Sequence, residues 1–537
     1  MSFKSTTIGR WIVPIFFLLY LGIGLSIVPD YGMSWDEAVQ RRYGLIALDY
    51  YIDQLGLDWE KSFPEVSLET AAGRQYTVLF PTVCAALERL FGLTDNFRGR
   101  YLMRHYAVFL LFWLSTIFFF RLLKMAFQNQ WLALLGVGML LLSPRIFAHS
   151  FFNPKDIVLL VFYTIAAFTL VRFIELPSTA RAVSHAIASA LVINARILGI
   201  IIPAVTLVGI GLLLLRKGPK SISYKKLALS STVYLTLTTI LTLLLFPYLW
   251  AAPAERASES FNMMANFPWG SSVLYFGQLV EGEAIPWHYP FAWIGITTPL
   301  VYLPTFLIGC GVSVFALAKA TLRLQFWNNQ QQLVTLFALA LFFGPLAAVL
   351  IKSSTLYNGW RQLYFIYPMF LIIALSGIQY LWKVGQKNGQ WLVIAALAFS
   401  IGNTLRFMVN NHPHQQVYFN ALAGTNKVYR FDMDYWGVAY KQAFEQIVAC
   451  DTSTLIQVNC NNYPCEDNFR FLPEATKSRL KLRYGPEVAD YVLSNFRRSE
   501  AFKKFKAGAY PFQNPAFFIE VEGDPIIGIY QPNKKKN

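Results

Sequence analysis

The chemistry open to this chain is concentrated in a few short stretches, the first of which is Ser34-Trp35-Asp36-Glu37. A carboxylate within hydrogen-bond reach of a hydroxyl can take its proton as the oxygen attacks, worth about 10²–10⁴-fold in rate. Glu37 has structural work at hand as well. Ser34 followed three residues later by Glu37 is a capping-box pattern, and Arg41 stands one helical turn beyond it as an ion-pair partner. Asp36 has no such local role. Adjacent helical residues point about 100° apart, so the two acids do not share one ligand. Both are catalytic candidates, and only Asp36 lacks a competing structural explanation.

The second stretch, His149-Ser150-Phe151-Phe152-Asn153-Pro154-Lys155-Asp156, admits two readings. As a helix start, Asn153 suits the N-cap, Pro154 the first helical position, and Asp156 the first turn, where an acid complements the helix dipole. As the rim of a membrane site, Lys155 holds a phosphate while Asp156 orients a donor or a metal. Two isolated arginines, Arg196 and Arg361, border apolar runs. Such arginines often only snorkel toward water. A guanidinium also suits a bidentate phosphate contact at headgroup level, and Trp360 and Tyr364 beside Arg361 add aromatic faces of the kind that stack on sugars. Cys460 and Cys465 pair as a disulfide more readily than they bind zinc, with Cys450 left over or competing. No P-loop, dinucleotide fingerprint or HExxH occurs, and the six histidines lack metal-ligand spacing.

The elements that must position these groups are membrane helices. Hydrophobic residues make up 55% of the chain and charged residues 14%, against about a quarter charged in a soluble domain. Apolar runs of roughly the 20 residues a span requires appear near 11–29, 101–120, 131–147, 157–172, 182–195, 197–215, 227–247, 291–315, 332–351, 362–381 and 390–409. That is about eleven transmembrane helices, with Asn194 and Arg196 read as a tight turn, because a charge in lipid is costly. The first run follows Lys4 and Arg10 but lacks a small-residue cleavage site, so it reads as a retained signal-anchor.

The net charge of +16 raises the question of nucleic acid. The basic residues instead fall in tracts between the runs, such as Arg216, Lys217, Lys220, Lys225 and Lys226, and Lys319 with Arg323. This is the usage that fixes membrane orientation and argues against nucleic acid. It places the N-terminus in the cytoplasm and three segments outside: 30–100, 248–290 and the tail from 410. Within the first, 77–92 is too short and too charged to span and reads as an interfacial helix. The expected organisation is a transmembrane catalytic domain, 1–409, followed by a small α/β soluble domain, 410–537. The latter carries a helix near 438–449, strands near 454–458 and 489–493, and a hairpin over 517–530 turning at Glu522-Gly523-Asp524. The closing Lys534-Lys535-Lys536 reads as a solvated end.

Asp36-Glu37 in a long first outer loop resembles the GT-C superfamily of membrane glycosyltransferases, in particular the branch of the protein O-mannosyltransferases and the lipid A aminoarabinose transferase. Ser143-Pro144-Arg145 through Lys155-Asp156 is similar to that branch's second outer loop. His412-Pro413-His414-Gln415 to Tyr418-Phe419-Asn420, and Asp434-Tyr435-Trp436-Gly437, resemble its bacterial members. The resemblance implies a GT-C-like polytopic fold and a polyprenyl-phosphate sugar as donor. It implies an acceptor lipid, glycan or protein, and a bacterial inner membrane with the tail in the periplasm. It makes Asp36 the general base and Asp156 the second-loop acid, with Lys155, Arg196 and Arg361 as candidates for the lipid phosphate. Whether a divalent metal takes part is left open. Two other classes compete: a multi-pass lipid or glycan transporter, which would carry ionisable groups or broken helices near the midplane, and a non-catalytic scaffold with a periplasmic binding domain.

Overall fold

The computed structural model describes residues 7–71, 73–216, 223–322, 324–497 and 499–532. Of the basic residues that set the expected orientation, Lys4, Lys217, Lys220 and Arg323 lie outside the described residues, as does Lys534-Lys535-Lys536. Among the described residues, nine helices are long and apolar enough to cross a membrane, or ten if one bent pair counts as a span. The chain is therefore a multi-pass helical membrane protein with a small C-terminal sheet.

The helix Asp156–Glu175 lies at the centre, with 89% of its most apolar window buried against the rest of the protein, whereas Trp11–Asp30 is peripheral at 22%. A helix apolar on all sides needs either lipid or protein around it, and these two take the opposite solutions. Three expected spans are realised differently. The run 131–147 breaks into Gln130–Leu141 and Pro144–Phe152, bent by 69°. Pro144 sits at the first position of the second piece, where a missing N–H costs nothing. The run 291–315 is likewise two helices, Tyr289–Thr297 and Tyr302–Thr321, parted at Pro299. The run 182–195 forms Thr179–Ala195, only 17 residues long, packed between Asp156–Glu175 and Tyr224–Leu245. It ends where the tight turn was expected, with Arg196 extended at its C-terminus.

In the first outer loop, the helix Glu37–Leu55 packs on Leu79–Leu90, the segment read as interfacial. Gly44 makes that approach possible, since a Cβ there would stand 2.4 Å from the Pro81 backbone. Arg41 does not pair with Glu37 as its spacing suggests. It bonds Glu88, which also holds Arg104 at 2.7 Å.

The tail carries a five-stranded sheet in the order Leu480–Leu482, Ile456–Cys460, Tyr491–Asn495, Asp524–Tyr530, Pro515–Val521. The first three strands are parallel and the last two form the antiparallel hairpin. Its turn places Glu522 at φ 51° and Gly523 at φ 81°, the left-handed pair that tight hairpins need. The helix Tyr440–Cys450 and strands Ile456–Cys460 and Tyr491–Asn495 sit about two residues beyond the expected positions. Cys460 and Cys465 are joined by a disulfide, and Cys450 is free and exposed.

Candidate active site

Four of the charged residues singled out in the sequence converge at helix ends. Asp36 precedes the helix Glu37–Leu55, Asp156 begins the central helix, Arg196 follows Thr179–Ala195, and Arg361 leads into Tyr367–Val384. Arg361 Nη1 lies 3.3 Å from Oδ2 of Asp36 and 3.0 Å from Oδ2 of Asp156. Arg196 Nη1 reaches the other oxygen of Asp156 at 3.4 Å. The Arg361 guanidinium is sandwiched between aromatic faces, 4.6 Å from the Trp436 ring centre and 5.0 Å from that of Tyr357, a favourable setting for a desolvated cation.

The two carboxylates differ in access. The Asp156 side chain is 1% exposed and that of Asp36 is 20% exposed. Asp156 is also tied locally, because Asn153 Oδ1 accepts the Asp156 N–H at 2.9 Å and Asn153 Nδ2 donates to Asp156 Oδ2 at 3.1 Å. The helix starts two residues later than expected, with Lys155 at the N-cap and Asp156 at the first position, because Asn153 Oδ1 closes a turn on the Lys155 and Asp156 N–H groups ahead of it. Asp36 is the carboxylate a substrate can reach.

Lys155 adjoins the pair and forms no ion pair among the described residues. Its Nζ sits 5.0 Å over the Tyr76 ring. Burial pulls its ammonium down to about 8, with Asp36 opposing. Lys155 and Arg196 both line a groove, open to the surface, whose other walls are chiefly apolar, among them Ile197, Phe261, Met264 and Val349. A second, much smaller space of about 20 Å³ meets the same Lys155, Arg196 and Tyr76.

Two sequence candidates are not part of this cluster. Glu37 is 2% exposed; its Oε1 accepts the Ser34 N–H at 2.6 Å and its Oε2 meets His105 Nε2 at 2.9 Å. Only that half of the capping box forms, because the Ser34 hydroxyl donates instead to the Phe152 carbonyl. Trp360 is buried, donates from Nε1 to Thr297 Oγ1 at 2.9 Å and packs on Tyr364 and Tyr367. The rings that flank Arg361 are Tyr357 and Trp436. Trp436 belongs to a motif noted in the tail, yet nothing local says that the chain folds back over the membrane helices to deliver it. Gly437, at φ 69°, makes the turn behind it, and a Cβ there would stand 2.4 Å from Pro464.

As a metal site the cluster fits poorly. Among the described residues no group of three or more His, Cys, Asp or Glu side chains is placed to hold an ion, and Asp36 and Asp156 are already bridged by a guanidinium.

No family model and no curated protein matches the chain. Solved structures do. The chain is similar to the apo oligosaccharyltransferase of Archaeoglobus fulgidus at 10% identity and a TM-score of 0.48, over 92% of this chain and 72% of that one. It is similar to ArnT from Cupriavidus metallidurans bound to undecaprenyl phosphate at 12% identity and a TM-score of 0.48, over 97% and 98%. A third likeness is to the arabinofuranosyltransferase AftD from Mycobacteria, at 11% identity and a TM-score of 0.42, over 98% and 42%. All three are transferases. At such identities no donor, acceptor or residue role passes from them to this chain.

Proposed function

We propose that the protein is a glycosyltransferase that moves a sugar from a polyprenyl phosphate to a hydroxyl of a lipid, glycan or protein acceptor. The observation that carries this reading is a partly exposed carboxylate, Asp36, paired with Arg361, which Asp156 links to Arg196, while Arg196 and Lys155 line an apolar groove. A lipid phosphate needs both parts, cations for its head and apolar walls for its chain.

In the reaction, Asp36 accepts the acceptor hydroxyl's proton as that oxygen forms a bond to the anomeric carbon. The bond from that carbon to the phosphate oxygen breaks, and its electron pair leaves with the phosphate. Lys155, Arg196 and Arg361 stabilise that charge as it develops. A single displacement inverts the anomeric centre. Arg361 has a second part to play, since an arriving phosphate competes with Asp36 for its Nη1 and frees the carboxylate to act as base. Asp156, the more buried acid, keeps Arg361 and Arg196 in place. The basic residues between the runs support a cytoplasmic N-terminus and a site on the opposite face, and the family resemblance supports a bacterial inner membrane with that face toward the periplasm.

The test is release of free polyprenyl phosphate by the purified protein in lipid, with a panel of sugar-charged carriers. Release by the wild type that Asp36→Asn abolishes in a folded protein supports the reading. Equal release by both removes Asp36 from the chemistry, and no release with any donor removes the transferase.

A further inference from the structure

The first outer loop encloses a space of its own, apart from the Asp36–Arg361 cluster. The helix Glu37–Leu55 stops at Gly56, at φ 61°, and the connection that follows is drawn back onto it by Asp49. That carboxylate, on a residue 4% exposed, accepts the Ser62 N–H at 3.0 Å, the Phe63 N–H at 2.7 Å and Arg89 Nη2 at 3.0 Å. Arg89 Nη2 also donates to the Ser62 hydroxyl at 2.9 Å. Between this connection, the two helices of the loop and the turn at Thr94-Asp95 lies a pocket of about 760 Å³, open at the surface. Small-molecule sites measure about 300–1,000 Å³, so sugar rings fit in it.

The lining offers acceptors. Its cations are engaged by acids of the protein itself: Arg41 by Glu88, Lys61 by Asp53 and Arg89 by Asp49. Its acids are not. Asp58, Glu60 and Asp95 line the same space, are exposed, and have no hydrogen-bond or ion-pair partner among the described residues. A ligand rich in donors would meet three free carboxylates, whose hydrogen bonds are about twice as strong as those of neutral acceptors. An acidic ligand would meet the same three as like charges.

The ring beside those acids narrows the class further. Trp59 is half-buried against the small core of Leu45, Leu48, Ile52 and Ala85, so it is fixed in place while part of it stays open to the pocket. The Arg89 guanidinium already lies 6.0 Å from its ring centre, which disfavours a second cation there. A fixed apolar face next to free carboxylates suits an uncharged sugar ring, whose C–H face is apolar and whose hydroxyls point outward as donors.

The pocket stands close to the candidate base without being part of its site. Arg41 is five residues beyond Asp36, about 7.5 Å along the helix axis and about 140° round it. A glycan held in the pocket can extend past the helix end to bring a further hydroxyl to Asp36. We propose that this pocket binds uncharged sugar rings of a glycan acceptor and discriminates against acidic ones. The role as acceptor anchor rests on the transferase reading above; the binding of sugar does not.

The experiment uses the full-length protein in lipid nanodiscs, with maltotriose, mannotriose, triacetylchitotriose, trigalacturonic acid and trilysine as probes. At least one neutral trisaccharide is expected to bind, about tenfold or more tighter than either charged probe. Asp58→Asn with Asp95→Asn, at two exposed positions, and Trp59→Ala are each expected to weaken that binding about tenfold. Both variants should bind bare undecaprenyl phosphate as the wild type does. With the bound trisaccharide as acceptor, the aspartate pair should raise KM about tenfold and keep kcat. No neutral trisaccharide bound, tighter binding of a charged probe, or wild-type binding by both variants would overturn the pocket's assignment and leave the transferase standing. An unchanged KM would overturn the anchoring role. Sugar binding by a protein that releases no carrier would remove the transferase and the anchor with it, and would support the pocket as a glycan site.

Discussion

Asn468 and Met33 are 435 residues apart in sequence and bonded in both directions: the Met33 N–H donates to Asn468 Oδ1 at 2.9 Å, and Asn468 Nδ2 donates back to the Met33 carbonyl at 3.0 Å. The same Nδ2 lies 3.2 Å from the Gly437 carbonyl, and the Trp35 N–H donates to the Trp436 carbonyl at 3.0 Å. The tail thus clamps the backbone on both sides of the segment that leads to Asp36, and it delivers Trp436 to Arg361. The loop that carries Asp36, the proposed base, has its freedom removed by a partner from the other end of the chain.

Asn468→Ala leaves a buried N–H and a buried carbonyl unpaired, each worth about 1–3 kcal/mol. Sugar release should fall at least tenfold, and binding of bare undecaprenyl phosphate should be kept, because no phosphate-binding cation is touched. A variant with full transfer activity would show that the clamp is dispensable.

Arg361→Ala strips a buried acid of its nearer cation and leaves Asp156 with Arg196 alone at 3.4 Å. Breaking a buried pair from one side costs about 3–5 kcal/mol, so the melting temperature should drop markedly. Arg361→Lys keeps the charge but loses the planar stack between Tyr357 and Trp436. It should remain folded with transfer reduced at least tenfold, which thermal unfolding and a release assay on the same sample would separate.

Lys155 gives a pH signature. Its ammonium is held at about 8 in the free protein, below its ordinary value of about 10.4. A bound phosphate favours the charged form, so affinity is present below about pH 8 and is lost as pH rises through it. Lys155→Arg should flatten that alkaline fall, because a guanidinium stays charged. Titrating undecaprenyl phosphate binding between pH 6.5 and 9.5, at intervals of about half a unit chosen to bracket that value, would show it, and an unchanged profile in the variant would exclude Lys155.

Glu37 is bonded to the Ser34 N–H and to His105, so its substitution tests a structural against a catalytic role. Glu37→Gln keeps an oxygen for the Ser34 N–H and should retain most transfer activity. Glu37→Ala orphans both Ser34 N–H and His105, with a loss of about 1–3 kcal/mol in stability. A Glu37→Gln protein that is folded yet inactive would return Glu37 to the chemistry.

The Cys460–Cys465 bridge closes a loop five residues long in sequence separation. Closure of so short a loop is worth about 2 kcal/mol on the chain-entropy account. Cys460→Ser with Cys465→Ser should lower the unfolding free energy read from a denaturant titration by about that amount.

Much of this molecule was legible in the amino-acid order because its causes are local. A run of apolar residues must be a buried or lipid-facing helix whatever surrounds it, and Asp156 falls in the first turn of a helix, as its position after Asn153-Pro154 suggests, though the start lies two residues later than read. Glu522-Gly523 turns a hairpin because few other pairs accept that backbone. The sequence also singled out Asp36, Lys155, Asp156, Arg196 and Arg361, since charge beside a membrane needs a reason. Packing decided the rest. That Arg41 belongs to Glu88 and Glu37 to His105, that Trp360 is core, and that Trp436 and Asn468 reach the site are pairings across tens to hundreds of residues. No spacing rule encodes them, because each depends on which faces the helices bury against one another.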